Sequence, residues 1–414
     1  MSHPERLTVN ADRLRDDLET LGTFGAAPGA GITRTSFSRP DLQAREWYQA
    51  ACRAAGLTVR VDAVGNMFAG SGSDGDPAAV WSGSHIDTVP DGGAFDGAVG
   101  AVAALECVRR IAELDIALSR PVNAVVFADE EGNYCHLFGS SALTRGFDEE
   151  QLSAMTGRDG DRLVDAMNAA GLDPAAAAGA RIDPESVHAF VELHIEQGPR
   201  LEAAASQIGV VTSIVGLGGA VVEFYGRADH AGTTPMTGRQ DPLLAAADLI
   251  AAMPAIAASV SDVAVATCGR VDTAPGSANV VPSLARLTLD YRDPDAARLA
   301  TLGARLESKA ADAASSHDVR HAWISDLAVA PAELNPSIRS AIERHANSLG
   351  LSTLAMPSGA GHDSQNMATI TPTAMIFVPS KGGRSHCPEE NTDWNDVTNG
   401  ANVLLNTLVE LATS

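Results

Sequence analysis

The sequence predicts an α/β layer protein interrupted by a smaller α+β insert. Three features lead there. Through roughly the first two hundred positions, short apolar runs alternate with Ala- and Leu-rich patterns of helical period, the rhythm of strands and helices in layers. Near Ser213 the texture changes to β-branched and alternating runs around an Ala-rich stretch, and at Ala374 the earlier pattern of apolar run followed by polar loop resumes. At 414 residues the chain is too long for one ordinary core, and two domains are expected.

In order, positions 42–55 carry a helical pattern, 78–82 an extended apolar run, 99–114 a second helix and 122–128 a second strand. Both strands lead into loops rich in His, Asp, Glu and Gly, and open α/β sheets expose their ligand crevice at such strand ends. The runs 220–226, 263–271 and 280–292 read as strands with a helix over 242–252 among them, a strand-helix-strand-strand insert. Helices follow over 296–312 and 335–348, then a strand over 374–378. Residues 1–212 and 330–414 are therefore expected to form one discontinuous domain carrying the polar loops, with 213–329 inserted as a lid. The segment 71–77 reads as a short polar loop, and the Ala-rich 174–180 as helix or loop filler.

Hydrophobic residues make up 45% and charged residues 20%, a globular composition. The formal charge of -23 argues against nucleic-acid and anionic-membrane partners, since either calls for a basic face. No apolar run is expected to approach the length of a spanning helix, and the start Met1-Ser2-His3-Pro4-Glu5-Arg6 lacks a signal-peptide core, so a cytoplasmic protein is expected. Cys52, Cys107, Cys135, Cys268 and Cys387 are widely spaced with no C-x-x-C pair, which fits neither a disulfide framework nor a thiolate zinc site. They read as reduced packing residues.

Chemistry concentrates in the run 84–97, Ser-His-Ile-Asp-Thr-Val-Pro-Asp-Gly-Gly-Ala-Phe-Asp-Gly. Neutral imidazole and ionised carboxylate are the ordinary ligands of a borderline divalent cation, and glycines let backbone fold closely around one. Asp129-Glu130-Glu131-Gly132, His194-Ile195-Glu196-Gln197-Gly198, Asp229-His230-Ala231-Gly232 and Ser385-His386 complete the set, so far apart that only a fold gathers them. Asp87 sits two residues after His85, which in extended chain places both side chains on one side, where Asp87 could hold the second imidazole nitrogen or simply cap a turn. Glu130 and Glu131 leave a strand end in different directions, so one can bind metal while the other reaches water. A lone histidine is more often a hydrogen-bonded core or surface residue, and His3, His136, His188, His317, His321 and His345 are read that way. His362, in a glycine-rich loop, is read as lying behind the ligands or facing substrate. Arg292, in Asp290-Tyr291-Arg292-Asp293, is either a bidentate carboxylate clamp or a strand-end partner of Asp290 or Asp293.

With the further segments Asp62-Ala63-Val64-Gly65-Asn66, Thr233-Thr234-Pro235-Met236, Pro275-Gly276-Ser277-Ala278-Asn279-Val280-Val281-Pro282 and Pro357-Ser358-Gly359-Ala360-Gly361-His362-Asp363, the chain resembles the M20 metallopeptidase-like amidohydrolases, in their amidase, hydantoinase and carbamoylase branch. The resemblance spans nearly the whole chain. It implies a zinc-exopeptidase-like catalytic domain with a mixed sheet flanked by helices, plus an inserted lid and dimerisation domain. It implies that His85, Asp96, Glu131, His194 and His386 ligate two divalent ions (zinc, manganese, cobalt or nickel), with Asp96 as the bridge, and that Glu130 is the base. It gives His230 the role of polarising the scissile carbonyl across a homodimer, and it matches Gln197, Asn279 and Arg292 to substrate positions.

The implied reaction is removal of an N-carbamoyl group from an L-amino acid or close ureido acid, releasing amino acid, ammonia and carbon dioxide. Alternatives are an allantoate, β-ureido acid or N-acyl amino acid hydrolase, a metal-dependent dipeptidase, and an inactive binding protein of the same fold. Two departures bear on specificity: Gly132-Asn133-Tyr134-Cys135-His136 stands where relatives often carry an Arg-Phe pair, and Arg384 precedes the last ligand where an apolar residue is commoner. Arg384 either reads a second anionic group or pairs with Glu389 or Glu390.

Overall fold

The computed structural model describes residues 6–70 and 77–414. His3, the rest of the N-terminal start up to residue 5 and the polar loop 71–76 lie outside the described residues. The chain forms two compact units, one of Met1–Thr212, Glu333–Met356 and His362–Ser414, the other of Ser213–Ala332 and Pro357–Gly361.

The first unit is a mixed sheet flanked by helices. Strands follow the spatial order Thr58–Val61, Met67–Gly70, Val122–Phe127, Ala79–His85, Val187–Ile195, Thr373–Val378, Ile208–Ile214 and Ala332–Glu333, with Thr353–Ser358 also pairing Ile208–Ile214. The central four strands run parallel, and Thr58–Val61, Met67–Gly70 and Ile208–Ile214 pair antiparallel with their neighbours Met67–Gly70, Val122–Phe127 and Thr373–Val378. Parallel strands covered on both faces bury nearly every side chain, which explains the apolar runs over Ala79–His85 and Val122–Phe127. The helix Ala98–Glu113 is buried almost throughout, and Phe127 meets Phe190 edge-on at 5.7 Å between ring centroids. Each fully buried side chain of this size contributes roughly 1.5–3 kcal/mol through lost apolar exposure. In Val187–Ile195, Glu192 and His194 break the apolar pattern that marks a strand in the sequence, and the structure buries both.

The second unit is a four-stranded antiparallel sheet, ordered Arg320–Val329, Gly216–Tyr225, Leu284–Asp293 and Val265–Ala274. Along Leu284–Asp293 the alternate residues Ala285, Leu287, Leu289 and Tyr291 turn inward against helices Pro242–Val260 and Ala296–Ser316. Arg320–Val329 lies at the sheet edge, where a strand tolerates the polar residues that hide its pattern in the sequence. The expectation that no apolar run reaches spanning length is corrected by Pro242–Val260. At 19 residues it is long and apolar enough by length and composition. It packs Ala245, Ala246, Leu249, Met253 and Ala257 into the core of the second unit, the position of a sheet-covering helix.

Candidate metal centre

The parallel strands of the first unit deliver the expected ligands from their C-terminal ends, where such sheets bind. His85 ends its strand, Asp129 to Glu131 follow Val122–Phe127, His194 closes Val187–Ile195, and His386 lies in the loop after Thr373–Val378. Asp96 enters from the turn before the buried helix. Its Oδ1 lies 3.3 Å from His194 Nε2 and 3.9 Å from His85 Nε2, while its Oδ2 lies 3.0 Å from His386 Nε2. Glu131 Oε1 is 3.4 Å from the same His386 nitrogen. Gly97 makes this packing possible: its φ is 63°, and a Cβ there would lie 2.3 Å from His85 Nε2.

Among the described residues, three groups place their ligand atoms within 4.8 Å of one another: His85 with Asp96 and His194, Asp96 with Glu131 and His386, and Glu192 with His194 and His362. The first and third share His194, and the first and second share Asp96. Glu192 is already engaged, accepting Ser84 Oγ at 2.7 Å and the Ser364 N–H and hydroxyl at 3.0 and 2.6 Å. His194 Nδ1 lies 2.9 Å from the Ile195 carbonyl and His85 Nδ1 3.0 Å from the Asp87 carbonyl, so both rings donate from Nδ1 and carry their electron pair on Nε2, which at His194 accepts the Gly97 N–H at 3.2 Å. The pair of groups that share Asp96 is therefore the arrangement suited to two ions, since one carboxylate offers an oxygen to each.

Electrostatics point the same way. Burial, followed by repulsion from Glu131, Asp363, Asp87 and Asp96, pushes the Glu130 carboxyl well above the usual range. Glu131 is raised too, by burial and then Asp96, and its Oε1 is buried without a hydrogen bond. Burial opposes ionised Asp96 as well, yet the His386 hydrogen bond and the His194 and His85 rings hold it below the usual range. That hydrogen bond raises His386 to about 9. Carboxylates crowded at this density, one with an orphaned oxygen, fit divalent cations.

Glu130 is 5% exposed, with Oε2 3.6 Å from His85 Nε2, and it stands outside all three groups. Asp87 differs from its expected contact. Its carboxylate lies 3.7 Å from His85 Nδ1, too far for a hydrogen bond, and instead accepts the Glu131 N–H at 3.1 Å and the Glu130 N–H at 3.4 Å. The strand ends at His85, so extended geometry stops before Asp87 and its side chain swings to the neighbouring loop. Gln197 donates to Asp96 Oδ2 at 2.9 Å, leaving its own Oε1 buried and unbonded. His362 is buried with its ring edge-on to His194 at 4.5 Å.

His230, Asn279 and Arg292 belong to the second unit. The short strands Asp229–His230 and Val280–Val281 pair, and Asn279 accepts the Ala231 N–H at 3.0 Å, so His230 and Asn279 sit together. His230 Nδ1 accepts the Gly232 and Thr233 N–H groups at 3.0 and 3.2 Å, which puts the ring proton on Nε2. Arg239 clasps this turn by donating to the Ala231 and Thr234 carbonyls, both at 2.7 Å. Arg292 adopts the strand-end pairing, with Nε 2.8 Å from Asp290 Oδ1 and Nη1 3.1 Å from the Gly359 carbonyl. Arg384 pairs with Glu389 at 2.9 Å, the surface alternative. Tyr134 turns its hydroxyl to Asp161. The cysteines are all free.

Two residues behind the ligand groups are not marked as such by the sequence. Glu192 precedes His194 by two positions on one strand face, a local signal, whereas Glu390, four residues after His386, reads there only as a surface partner for Arg384.

A sheet that collects imidazoles and carboxylates around one shared aspartate, with a buried glutamate beside them, defines a metal-dependent hydrolase. The profile of peptidase family M20/M25/M40 matches residues 81–410, and the chain belongs to that family. It is 38% identical over 406 residues to an N-carbamoyl-L-amino-acid amidohydrolase of Paenarthrobacter aurescens, covering 97% of this chain and 98% of that one. A similarly named Geobacillus stearothermophilus protein is 37% identical, covering 98% and 99%. The crystal structure of an amidase of the hydantoinase/carbamoylase family from Burkholderia vietnamiensis superposes with a TM-score of 0.88 at 34% identity, covering 98% of both chains.

Proposed function

We propose that this chain hydrolyses the ureido C–N bond of an N-carbamoyl-L-amino acid or similar ureido acid, giving the amino acid, ammonia and carbon dioxide. The observation that carries the reading is Glu130, buried beside two ligand groups that share Asp96 yet a member of neither. His85 and His194 would hold one cation, Glu131 and His386 the other, and Asp96 both. Zinc, manganese, cobalt and nickel all suit these donors. When bound, such a pair supplies Lewis acidity at the carbonyl and acidifies water.

Glu130 takes a proton from the attacking water and returns it to the departing nitrogen, a role suited to a carboxylate buried beside both ligand groups and a member of neither. His230, with its ring proton fixed on Nε2, donates to the carbonyl oxygen as negative charge develops. Arg292 receives the substrate carboxylate by exchanging Asp290 for it, and Asn279 and Gln197 add amide contacts. The unbonded Oε1 of Gln197 is an acceptor for a ureido N–H. The second unit serves as lid and dimerisation surface, and the partner's His230 completes each site.

The test is a panel of N-carbamoyl and N-acyl amino acids, allantoate and dipeptides, assayed after chelation and readdition of single metals. Ammonia release from N-carbamoyl-L-amino acids supports the reading, and turnover confined to dipeptides refutes it. Mixing inactive Glu130→Gln and His230→Ala chains tests the shared site, since hybrid dimers would regain activity.

A further inference from the structure

Glu390 is neither in a ligand group nor placed for proton transfer, yet it is 6% exposed and fully engaged by the loops around Asp96 and His386. Its Oε1 accepts the backbone N–H of Phe95 at 2.9 Å and of Asp96 itself at 3.0 Å. Its Oε2 accepts Ser385 Oγ at 2.7 Å. That hydroxyl is also 3.2 Å from Asp96 Oδ2, and its single proton serves one carboxylate at a time. The Glu390 N–H closes a turn onto the Cys387 carbonyl at 3.1 Å, which ties the carboxylate's own backbone to the residue after His386.

We propose that Glu390 is a positioning residue that holds Asp96 and the loop of His386 at one spacing, so that affinity for the second cation depends on it. The two ligand groups differ in how they are held. His85 and His194 lie in strands and fix their rings through backbone carbonyls, independently of Glu390. His386 is exposed, lies in a loop at φ 56°, and is tied to Asp96 through Ser385 and Glu390, with Gln197 Nε2 beside them at 2.9 Å from Asp96 Oδ2 and 3.4 Å from both Ser385 Oγ and His386 Nε2. Loss of the brace therefore falls on the group of Asp96, Glu131 and His386 more than on that of His85, Asp96 and His194.

Gly93 gives a second handle on the same brace. A Cβ at Gly93 would lie 2.1 Å from Glu390 Oε1 and 2.4 Å from Glu390 Cβ, so Gly93→Ala displaces the carboxylate without altering it chemically. Glu390→Gln keeps the Oε1 acceptor for both N–H groups and exchanges Oε2 for a donor to the Ser385 oxygen. It is the conservative variant.

The inference rests on the reading that Asp96 is shared by two ions, and the experiment separates the two. Chelated full-length protein is titrated with zinc alone and, separately, manganese alone by calorimetry, with bound metal counted by elemental analysis. Wild type is expected to take two ions. Glu390→Ala and Gly93→Ala are expected to bind the first within about threefold of wild type and the second about 10- to 100-fold more weakly, the range for groups that orient ligands. Glu390→Gln should fall between, and thermal melting of the metal-free variants reports whether each is folded. Should Glu390→Ala fail to fold, Gly93→Ala and Glu390→Gln carry the test. Unchanged second-ion affinity in the folded variants, or equal weakening of both ions, overturns the role of Glu390. A wild type that takes fewer than two ions overturns the shared-ligand reading, and the proposal with it.

Discussion

Replacing Glu130 by glutamine isolates proton transfer from metal binding, because the amide matches the carboxylate in shape. The change leaves both ligand groups that share Asp96 intact, and the Glu130 N–H that Asp87 accepts is backbone. General acid-base catalysis by one side chain contributes about 10²- to 10⁴-fold. At 1.36 kcal/mol per decade, that loss in kcat corresponds to a barrier higher by roughly 2.7–5.4 kcal/mol. Stability should not fall with it. Burial and neighbouring carboxylates raise the Glu130 proton affinity, so its ionised form is disfavoured in the folded, metal-free protein, and an uncharged amide removes that repulsion. Ammonia release from an N-carbamoyl-L-amino acid at saturating substrate measures the first expectation. Elemental analysis and melting of the same batch measure the others. Activity within threefold of wild type would refute the base assignment, and loss of a bound ion would show that Glu130 is a ligand instead.

Chelation should make stability strongly pH-dependent: with Glu130 and Glu131 raised, the folded metal-free protein binds more protons than the unfolded chain, so its stability falls as pH rises above the usual carboxylate range. Saturating metal should remove that slope, and parallel melting curves from pH 5 to 8 with and without metal would sink the explanation. Asp87→Ala, which frees the backbone of the Glu130-Glu131 pair, should weaken metal binding by about 10- to 100-fold, and unchanged metal titrations would count against it. Arg292→Gln should raise KM about 10- to 100-fold for substrates with a free carboxylate, from the loss of a charged hydrogen bond of about 1.5–3 kcal/mol, but not for their amides. Equal effects on both would assign Arg292 to its Asp290 pair alone. Phe190→Ala, at a side chain with no exposed surface, should cost about 3–5 kcal/mol in urea unfolding, and a cost under about 1 would contradict the packing described.

The donors that cluster are legible because metal chemistry restricts residue type and His85, Asp96, Glu131, His194 and His386 each sit in a short polar segment that stands out from apolar surroundings, while their assignment as ligands is what the family resemblance implies. The layered fold was legible for a related reason: buried parallel strands leave unbroken apolar runs, as in Val122–Phe127, and amphipathic helices leave their period. Where a strand carried its own polar cargo, as Val187–Ile195 carries Glu192 and His194, the pattern failed at the functional position. Sequence alone thus determined which donors the protein owns and the elements that bear most of them. Only the tertiary structure decided that the Asp87 carboxylate serves the Glu130-Glu131 backbone, that Arg292 rests on Asp290, and that Glu390 braces Asp96 from 294 positions away. Periodicity records what a residue's immediate neighbours require. A hydrogen bond between loops depends on where distant strands end, and that is fixed only when the sheet assembles.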